Sequence, residues 1–565
     1  MRKQVISDTK KKIPLGLSNY KIIVEDNFYY VDKTKYIETL ENLNTRYQVF
    51  LRPRRFGKTL LVDTAKRYYD INEKEHFNTL FGHTYIGSHK TPLANSFYIL
   101  HLNLSGLDTR DSDRLEESFG DYIKSEIKSF LDYYDIDMEL DEDKHFVAYT
   151  QRFLNDLRKY NANIKLFIMI DEYDHFANSL LGNTDAFHTA TSQDGFIRNF
   201  YEVLKKHTQH LLDRIFITGV TSLTLDSLTS GFNICENISD YASLSDACGF
   251  SHNEVMDLVE YMELPEKEQI LLTLKENYNG YLFSPQVHSK VFNSNMILYF
   301  MNSYMNRGGI PTELADPNIK GDYLKLSSMF DLYSEDNEKE NILQSLMLNE
   351  GVIGKLTTSF SLATHFSRDH FLSLLYYLGL LTFAQGLPNG KYLFITPNNV
   401  IREIYYDYYY TYLTKNSDIS TGLIREALNT LETEHDISPL TAVVEQILHD
   451  FTSTNNRYMI HFRENSLQAI FFLILRKSDS YHVEMEYKIN GTYIDIMYCP
   501  IQGGIPYAIE LKYISQTKYD YDPSILDDTI TNVDKQITQD KTHLGDAKGI
   551  SVVFVGKKCV YCHLN

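Results

Sequence analysis

The period of apolar and polar positions changes three times along the chain, and each change marks a different kind of structure. Tyr47-Gln48-Val49-Phe50-Leu51 is a short apolar run rich in β-forming residues and predicts a buried strand. A helical pattern follows from Lys58 to about Asp70. Residues 97–104 alternate as a strand, helical spacing covers about 112–133 and 144–160, and 164–170 is a near-continuous apolar strand. A helix over about 193–212 and a buried strand over 214–220 complete the series. Strands that alternate with helices predict a parallel, doubly wound sheet.

From about 250 to 440 the spacing turns largely helical, over 254–262, 266–277, 293–304 and 369–378. Strand-like runs shrink there to pieces such as Tyr392-Leu393-Phe394-Ile395. After about 455 the order becomes helix (464–475), strands (481–487, 491–498, 507–513), helix (about 527–541), strand (549–555). The chain therefore divides into a lead-in, 1–46, with a short helix around 33–42; an α/β domain, 47–250; a helical middle domain, 251–450; and a second α/β domain, 451–565.

Composition narrows the function. A chain of 565 residues exceeds one hydrophobic core, and 43% hydrophobic residues exclude general disorder. Lys+Arg 55 against Asp+Glu 75 leaves a net charge of −20. Such a chain does not coat polyanions, so any nucleic-acid contact is confined to a local patch. It leaves a metal-dependent hydrolase open, because metal sites need carboxylates. Five cysteines, an odd and sparse set, suit a reducing compartment. Met1-Arg2-Lys3-Gln4-Val5 is basic but leads into no apolar run, and no stretch approaches the ~18 apolar residues of a membrane span. The expectation is an intracellular protein without a membrane partner, cytoplasmic, with nuclear or host-delivered placement left open.

Arg52-Pro53-Arg54-Arg55-Phe56-Gly57-Lys58-Thr59 lies between the first strand and its helix. Gly57, Lys58 and Thr59 match the end of the phosphate-loop pattern G-x-x-x-x-G-K-[ST], in which backbone N–H groups wrap phosphates, Lys reaches the β/γ-phosphates and Thr binds Mg²⁺. Arg52 stands where the first glycine belongs, and Arg54 and Arg55 are candidates for the missing phosphate contacts. Asp171-Glu172 ends the 164–170 strand, at the sheet edge where ligands bind. Asp171 would hold Mg²⁺ through water and Glu172 would orient an attacking water. Thr218, ending the next buried strand, is placed to sense the γ-phosphate. ATP and Mg²⁺ are the expected ligands.

These stretches, with Pro14-Leu15-Gly16-Leu17, Tyr30-Val31-Asp32-Lys33-Thr34, Asp171-Glu172-Tyr173-Asp174 and Thr218-Gly219-Val220 through Ser230-Gly231-Phe232-Asn233, resemble the family of AAA-ATPase-like proteins. Tyr278-Asn279-Gly280-Tyr281 with Val291-Phe292-Asn293 is similar to a later motif of that family. The resemblance implies a P-loop NTPase-like parallel sheet and, since members usually carry one, a C-terminal PD-(D/E)xK nuclease-like domain. Family members also carry Arg at the position of Arg52.

The C-terminal pattern carries its own chemistry. Glu510-Leu511-Lys512 places Glu510 and Lys512 on one face of a strand, because side chains alternate. Asp495 lies on the strand before, across a loop around 500–504. Two carboxylates there would hold Mg²⁺, with Mn²⁺ as a substitute, and Lys512 would position water. Glu464, opening the preceding helix, adds a third carboxylate and metal ligand. Gln536-Ile537 on the following helix resembles the Q-I element of the PD-(D/E)xK fold, which implies that Gln536 supports the site. The α/β fold expected for 451–565 is restriction-endonuclease-like. Cys559-Val560-Tyr561-Cys562-His563 fits a haem-attachment pattern, but two thiols on a terminal strand explain it better.

The expected function is an ATP-binding protein coupled to a Mg²⁺-dependent nuclease acting on DNA, with RNA left open, in defence, mobile-element or effector biology, with homo-oligomers left open. The alternative is a nucleotide-binding signalling or scaffold protein with an inactive nuclease fold.

Overall fold

The computed structural model describes residues 10–107, 114–175, 195–222, 233–311, 313–317, 333, 336–347, 350–358, 366–415, 419–454, 459, 462–489, 492–541 and 543–565. Met1–Val5 and Ser230-Gly231-Phe232 lie outside the described residues. The chain falls into two compact units, Met1–Tyr333 with Ile353–Ile401, and Ser334–Val352 with Arg402–Asn565.

The first unit is built on β1 (Tyr47–Leu51), β2 (Tyr98–Asn103), β3 (Leu166–Asp171), β4 (Leu212–Gly219) and β5 (Glu236–Asn237). Their order is β2-β3-β4-β1-β5 and every pairing is parallel. β3 is buried at every position, which explains its unbroken apolar run. The register sets Leu51 beside Gly219 and Asn103 beside Asp171, so these strands end together at one edge. The helix Lys58–Tyr69 leaves that edge from β1 and buries Leu61, Val62, Ala65, Tyr68 and Tyr69.

Beyond the sheet, the helices His252–Tyr261, Lys267–Tyr278 and Ser294–Arg307 share a core of Val255, Leu258, Ile270, Leu274, Ile297 and Phe300. The region expected to be largely helical also carries a three-stranded sheet of β6 (Val352–Lys355), β7 (Thr382–Leu387) and β8 (Lys391–Ile395), in the order β6-β8-β7. β6 has only four residues, too few for a period to show in the sequence.

The second unit orders β9 (Tyr481–Ile489), β10 (Thr492–Pro500), β11 (Tyr507–Ile514), β12 (Lys548–Val555) and β13 (Lys558–Leu564) as β13-β12-β11-β10-β9. β9, β10 and β11 pair antiparallel. β11 and β12 pair parallel, across a connection that contains the helix Ile525–Lys541. The helix Glu464–Leu475 is buried at every position from Ser466 onward, so it is apolar all round rather than striped. Cys559 and Cys562 lie on β13 as free thiols. Among the described residues no helix is long and apolar enough to cross a membrane.

His101 sits inside β2 with Nε2 buried and unpartnered. Burial, reinforced by Lys66 and opposed by Asp171 and Asp63, pushes it down to about 4 from an ordinary value of 6.5. An imidazole kept neutral in the fold gives stability that is full above 6.5 and lost as pH falls toward 4. Melting temperature followed from pH 7 to 4 should therefore fall less steeply for His101→Gln than for the wild type.

Candidate functional site

In the first unit, the loop after β1 turns through two left-handed residues, Arg55 (φ 67°) and Gly57 (φ 94°), before the helix begins at Lys58. The Lys58 ammonium, almost fully buried, donates to Pro53 O at 3.1 Å and lies 3.8 Å from the Glu172 carboxylate. Burial raises the Glu172 carboxyl above its ordinary range, with Lys58 pulling it back. Glu172 itself adopts φ 53°, a conformation that costs a non-glycine residue energy and marks functional sites.

Asp171, wholly buried at the end of β3, accepts through Oδ1 from the Thr218 hydroxyl and from Glu172 N. Its Oδ2 is buried without a partner. That orphaned oxygen, at the edge where the loop lies, fits the water shell of a nucleotide-bound Mg²⁺. Thr218 thus spends its hydroxyl on Asp171. Asp174 accepts from Val220 N (3.0 Å), Thr221 N (2.7 Å) and Thr221 Oγ1 (2.7 Å), which ties the acidic turn to the end of β4. Gly219 is required there: a Cβ would lie 2.4 Å from the Tyr173 ring.

A cavity of about 250 Å³ opens beside the loop. Arg55, Gly57, Lys58, Thr59 and Glu172 line its polar end, and Pro14, Leu17, Tyr29, Val31 and Leu298 are among its apolar walls. The segment taken from sequence as a lead-in therefore contributes a wall of the site. Tertiary folding alone brings it there. Arg52 and Arg54 are not among the residues that line this cavity, though the Arg54 charge acts on Glu172.

In the second unit, Glu464, Asp495, Glu510, Lys512 and Gln536 converge. The β10–β11 ladder stops after Ile496 and Ile509, where the strands part. Leu511 N would lose its acceptor at that fork, and Asp495 Oδ2 takes it at 2.7 Å. Asp495 Oδ1 accepts from Gln468 Nε2 at 2.8 Å. Glu510 is fully buried; Oε2 accepts from Gln536 Nε2 at 2.9 Å while Oε1 has no partner. The Lys512 ammonium stands 3.0 Å from Glu464, 3.8 Å from Glu510 and 3.9 Å from Asp495. Burial works against its charge, but Asp495 and Glu464 hold its pKa above the ordinary lysine value.

Burial, then the Asp495 charge, pushes Glu510 up to about 9. Burial also raises Asp495, with Lys512 opposing. Two facing carboxyls in a dry site need a proton or a cation between them. Among the described residues no three His, Cys, Asp or Glu side chains are spaced to hold an ion as they stand, and here Lys512 stands among the carboxylates. The Asp495–Glu510 pair with its orphaned oxygen nevertheless fits Mg²⁺, which takes one or two carboxylates and fills its other positions with water or phosphate.

Two residues of this site escaped the sequence. Gln468 follows Glu464 by one helical turn, and that spacing was a usable signal. Glu486 lies across from Asp495, between the paired Tyr487–Ile494 and Met485–Ile496, with φ 51°. Burial and the charges of Asp495, Glu350 and Glu464 raise its carboxyl, with Lys512 opposing.

Comparison with known proteins bears on the first unit. Residues 14–229 match a protein-family model described as AAA-ATPase-like, predicted AAA-ATPase. That stretch is similar to AAA-ATPase-like domains. A 323-residue segment is 28% identical to an uncharacterized protein in the vnfD 5′ region of Azotobacter chroococcum mcd 1, covering 54% of this chain and 56% of that one. The chain thus spans about half the length of that relative. Among solved structures, C. elegans PCH-2 aligns over 63% of this chain and 71% of its own at 12% identity, with a TM-score of 0.19, too low to mark a shared fold. The AAA-ATPase-like match begins at Pro14, the residue that opens the cavity wall.

A carboxyl whose pKa is higher folded than unfolded costs stability as pH rises from about 4.5 toward about 9. Glu510→Gln removes that charge and can donate an N–H to Asp495. Without divalent metal at pH 8 it should melt a few degrees above the wild type, at about 2–4 °C per kcal/mol.

Proposed function

We propose that the AAA-ATPase-like domain binds ATP and that the C-terminal unit is a Mg²⁺-dependent nuclease acting on DNA. The observation that carries the nuclease reading is the convergence of Glu464, Asp495, Glu510, Lys512 and Gln536 from two helices and two strands onto one point, with Asp495 and Glu510 buried and Glu464, Lys512 and Gln536 partly exposed. A binding module has no use for three carboxylates around one lysine, since such a cluster strains the fold. Mg²⁺ or Mn²⁺ held by Asp495 and Glu510 would polarise a phosphodiester oxygen and offset its developing charge. Lys512, kept protonated, orients a water and stabilises negative charge; Glu464 aims Lys512; Gln468 and Gln536 fix the two carboxylates. The fold around them, a buried helix, three antiparallel strands and a parallel fourth strand, supports a restriction-endonuclease-like reading.

For ATP, Lys58 and the amides after Gly57 would hold phosphates, Asp171 and Thr59 a Mg²⁺, and Glu172 would draw a proton from the attacking water. Arg55 supplies a second cation at the cavity's polar end. The apolar walls from Leu17, Tyr29, Val31 and Leu298 suit a base. Glu172, 3.8 Å from Lys58, would compete with a phosphate for the ammonium.

The second reading, a nucleotide-binding scaffold with a silent nuclease fold, is favoured by one observation: the Lys512 ammonium already lies within 3.0–3.9 Å of the carboxylates that would hold a metal. Cleavage of supercoiled plasmid, linear duplex and single strands with Mg²⁺ or Mn²⁺ decides between them. Glu510→Ala and Lys512→Ala should lower cutting by at least about a hundredfold, with secondary structure unchanged by circular dichroism. Cutting unaffected by either substitution excludes this nuclease site, and no cutting by the wild type with or without ATP selects the scaffold.

Lys58→Ala should abolish binding of a fluorescent ATP analogue. ATP-stimulated cutting that disappears in the same variant would establish coupling between the two activities.

A further inference from the structure

The residue at the place of the missing first glycine does more than tolerate the gap. Arg52 is 1% exposed, and its side chain runs back beneath the loop, away from the nucleotide cavity. One guanidinium nitrogen donates to Leu51 O (2.8 Å) and Ser239 O (2.6 Å), and the other terminal nitrogen to Leu244 O (2.8 Å). The guanidinium plane lies between two rings, 4.3 Å from the centre of Phe50 and 4.4 Å from that of Phe283. Its backbone N–H donates to Gly219 O at 3.1 Å. One side chain therefore joins the end of β1 to the segment after β5 and to Phe283, and the backbone joins it to β4.

That same segment runs on from Leu244 to Gly249, where Gly249 N donates to Phe56 O at 2.8 Å. Gly249 has φ 82°, and a Cβ there would lie 2.7 Å from Phe292 O. Arg55 O, between these points, accepts from Ser294 Oγ and Asn295 N. The loop is thus gripped at its start by Arg52 and near its end by Gly249, and both grips hang on the one stretch from Ser239 to Gly249. In the usual phosphate loop the first glycine lets the backbone wrap a phosphate, and the bound phosphate completes the shape. Here the protein's own groups hold the loop's backbone at both ends.

We infer that Arg52 is the positioning residue of the phosphate loop: its buried guanidinium fork sets the loop's backbone in place of a first glycine, so that restoring the glycine would unmake the site. The inference rests on the nucleotide-binding reading. Lysine cannot substitute, since it has no planar fork to reach separate carbonyls while stacked between rings. Removing the side chain leaves three buried carbonyl oxygens without this donor.

The test compares full-length wild type with Arg52→Gly, Arg52→Lys and Lys58→Ala. The readouts are the affinities of ATP and adenosine by titration calorimetry, and amide hydrogen exchange across the chain. Arg52→Gly and Arg52→Lys should each weaken ATP by about tenfold or more and adenosine far less, with faster exchange confined to residues 52–58 and 239–250. Wild-type ATP affinity in Arg52→Gly, the variant that matches the consensus, overturns the inference. So does faster exchange spread evenly over the first unit, which means a general loss of stability. Should Arg52→Gly fail to fold, Arg52→Lys carries the same two readouts. If the wild type binds no nucleotide and Lys58→Ala changes nothing, the nucleotide reading fails, and exchange at residues 52–58 still decides what Arg52 does.

Discussion

The carboxylates of both candidate sites sit where a hydrogen-bonded ladder stops. A buried strand satisfies its own backbone, but at its end some N–H and C=O groups lose their partners, and a side chain must take them or water must. At the fork of β10 and β11, Asp495 takes the Leu511 amide. At the shared edge of β1, β3 and β4, Asp174 takes the amides of Val220 and Thr221, and Asp171 takes that of Glu172. Carboxylates are pinned in both places by structural duty. The oxygens that duty leaves over, Asp171 Oδ2 and Glu510 Oε1, are the ones the proposed functions assign to Mg²⁺.

Much of this was legible in the sequence because period and function coincide. Glu510 and Lys512 share a face as strand alternation requires, and Asp495 lies across a hairpin from them. Asp171 follows a run with no polar residue except Lys165, which announced a fully buried parallel strand. What escaped depends on long-range register. That Glu486 opposes Asp495 follows from how the β9–β10 turn is closed, which no local pattern reveals. The walls from Pro14, Leu17, Tyr29 and Val31 meet Lys58 only in the folded unit. Gln468 was within reach, but the helix around it is so apolar that one polar residue drew no notice.

Arg52 shows a different limit. A motif position names an expected residue type, and departure from it suggests a defect. The surroundings, two rings and three carbonyls, turn the departure into a support. The acidic net charge is resolved in a similar way: part of it is gathered around Lys512, where an ammonium or a divalent cation can balance it.

The packing of Tyr173 under Gly219 has a mechanical consequence. The ring occupies the space a Cβ would fill, and its hydroxyl is bonded to Thr221 O at 2.5 Å. The acidic turn and the end of β4 therefore have no slack between them. Any reorientation of the turn that re-aims Glu172 would have to displace the end of β4, a strand held on both sides by β1 and β3.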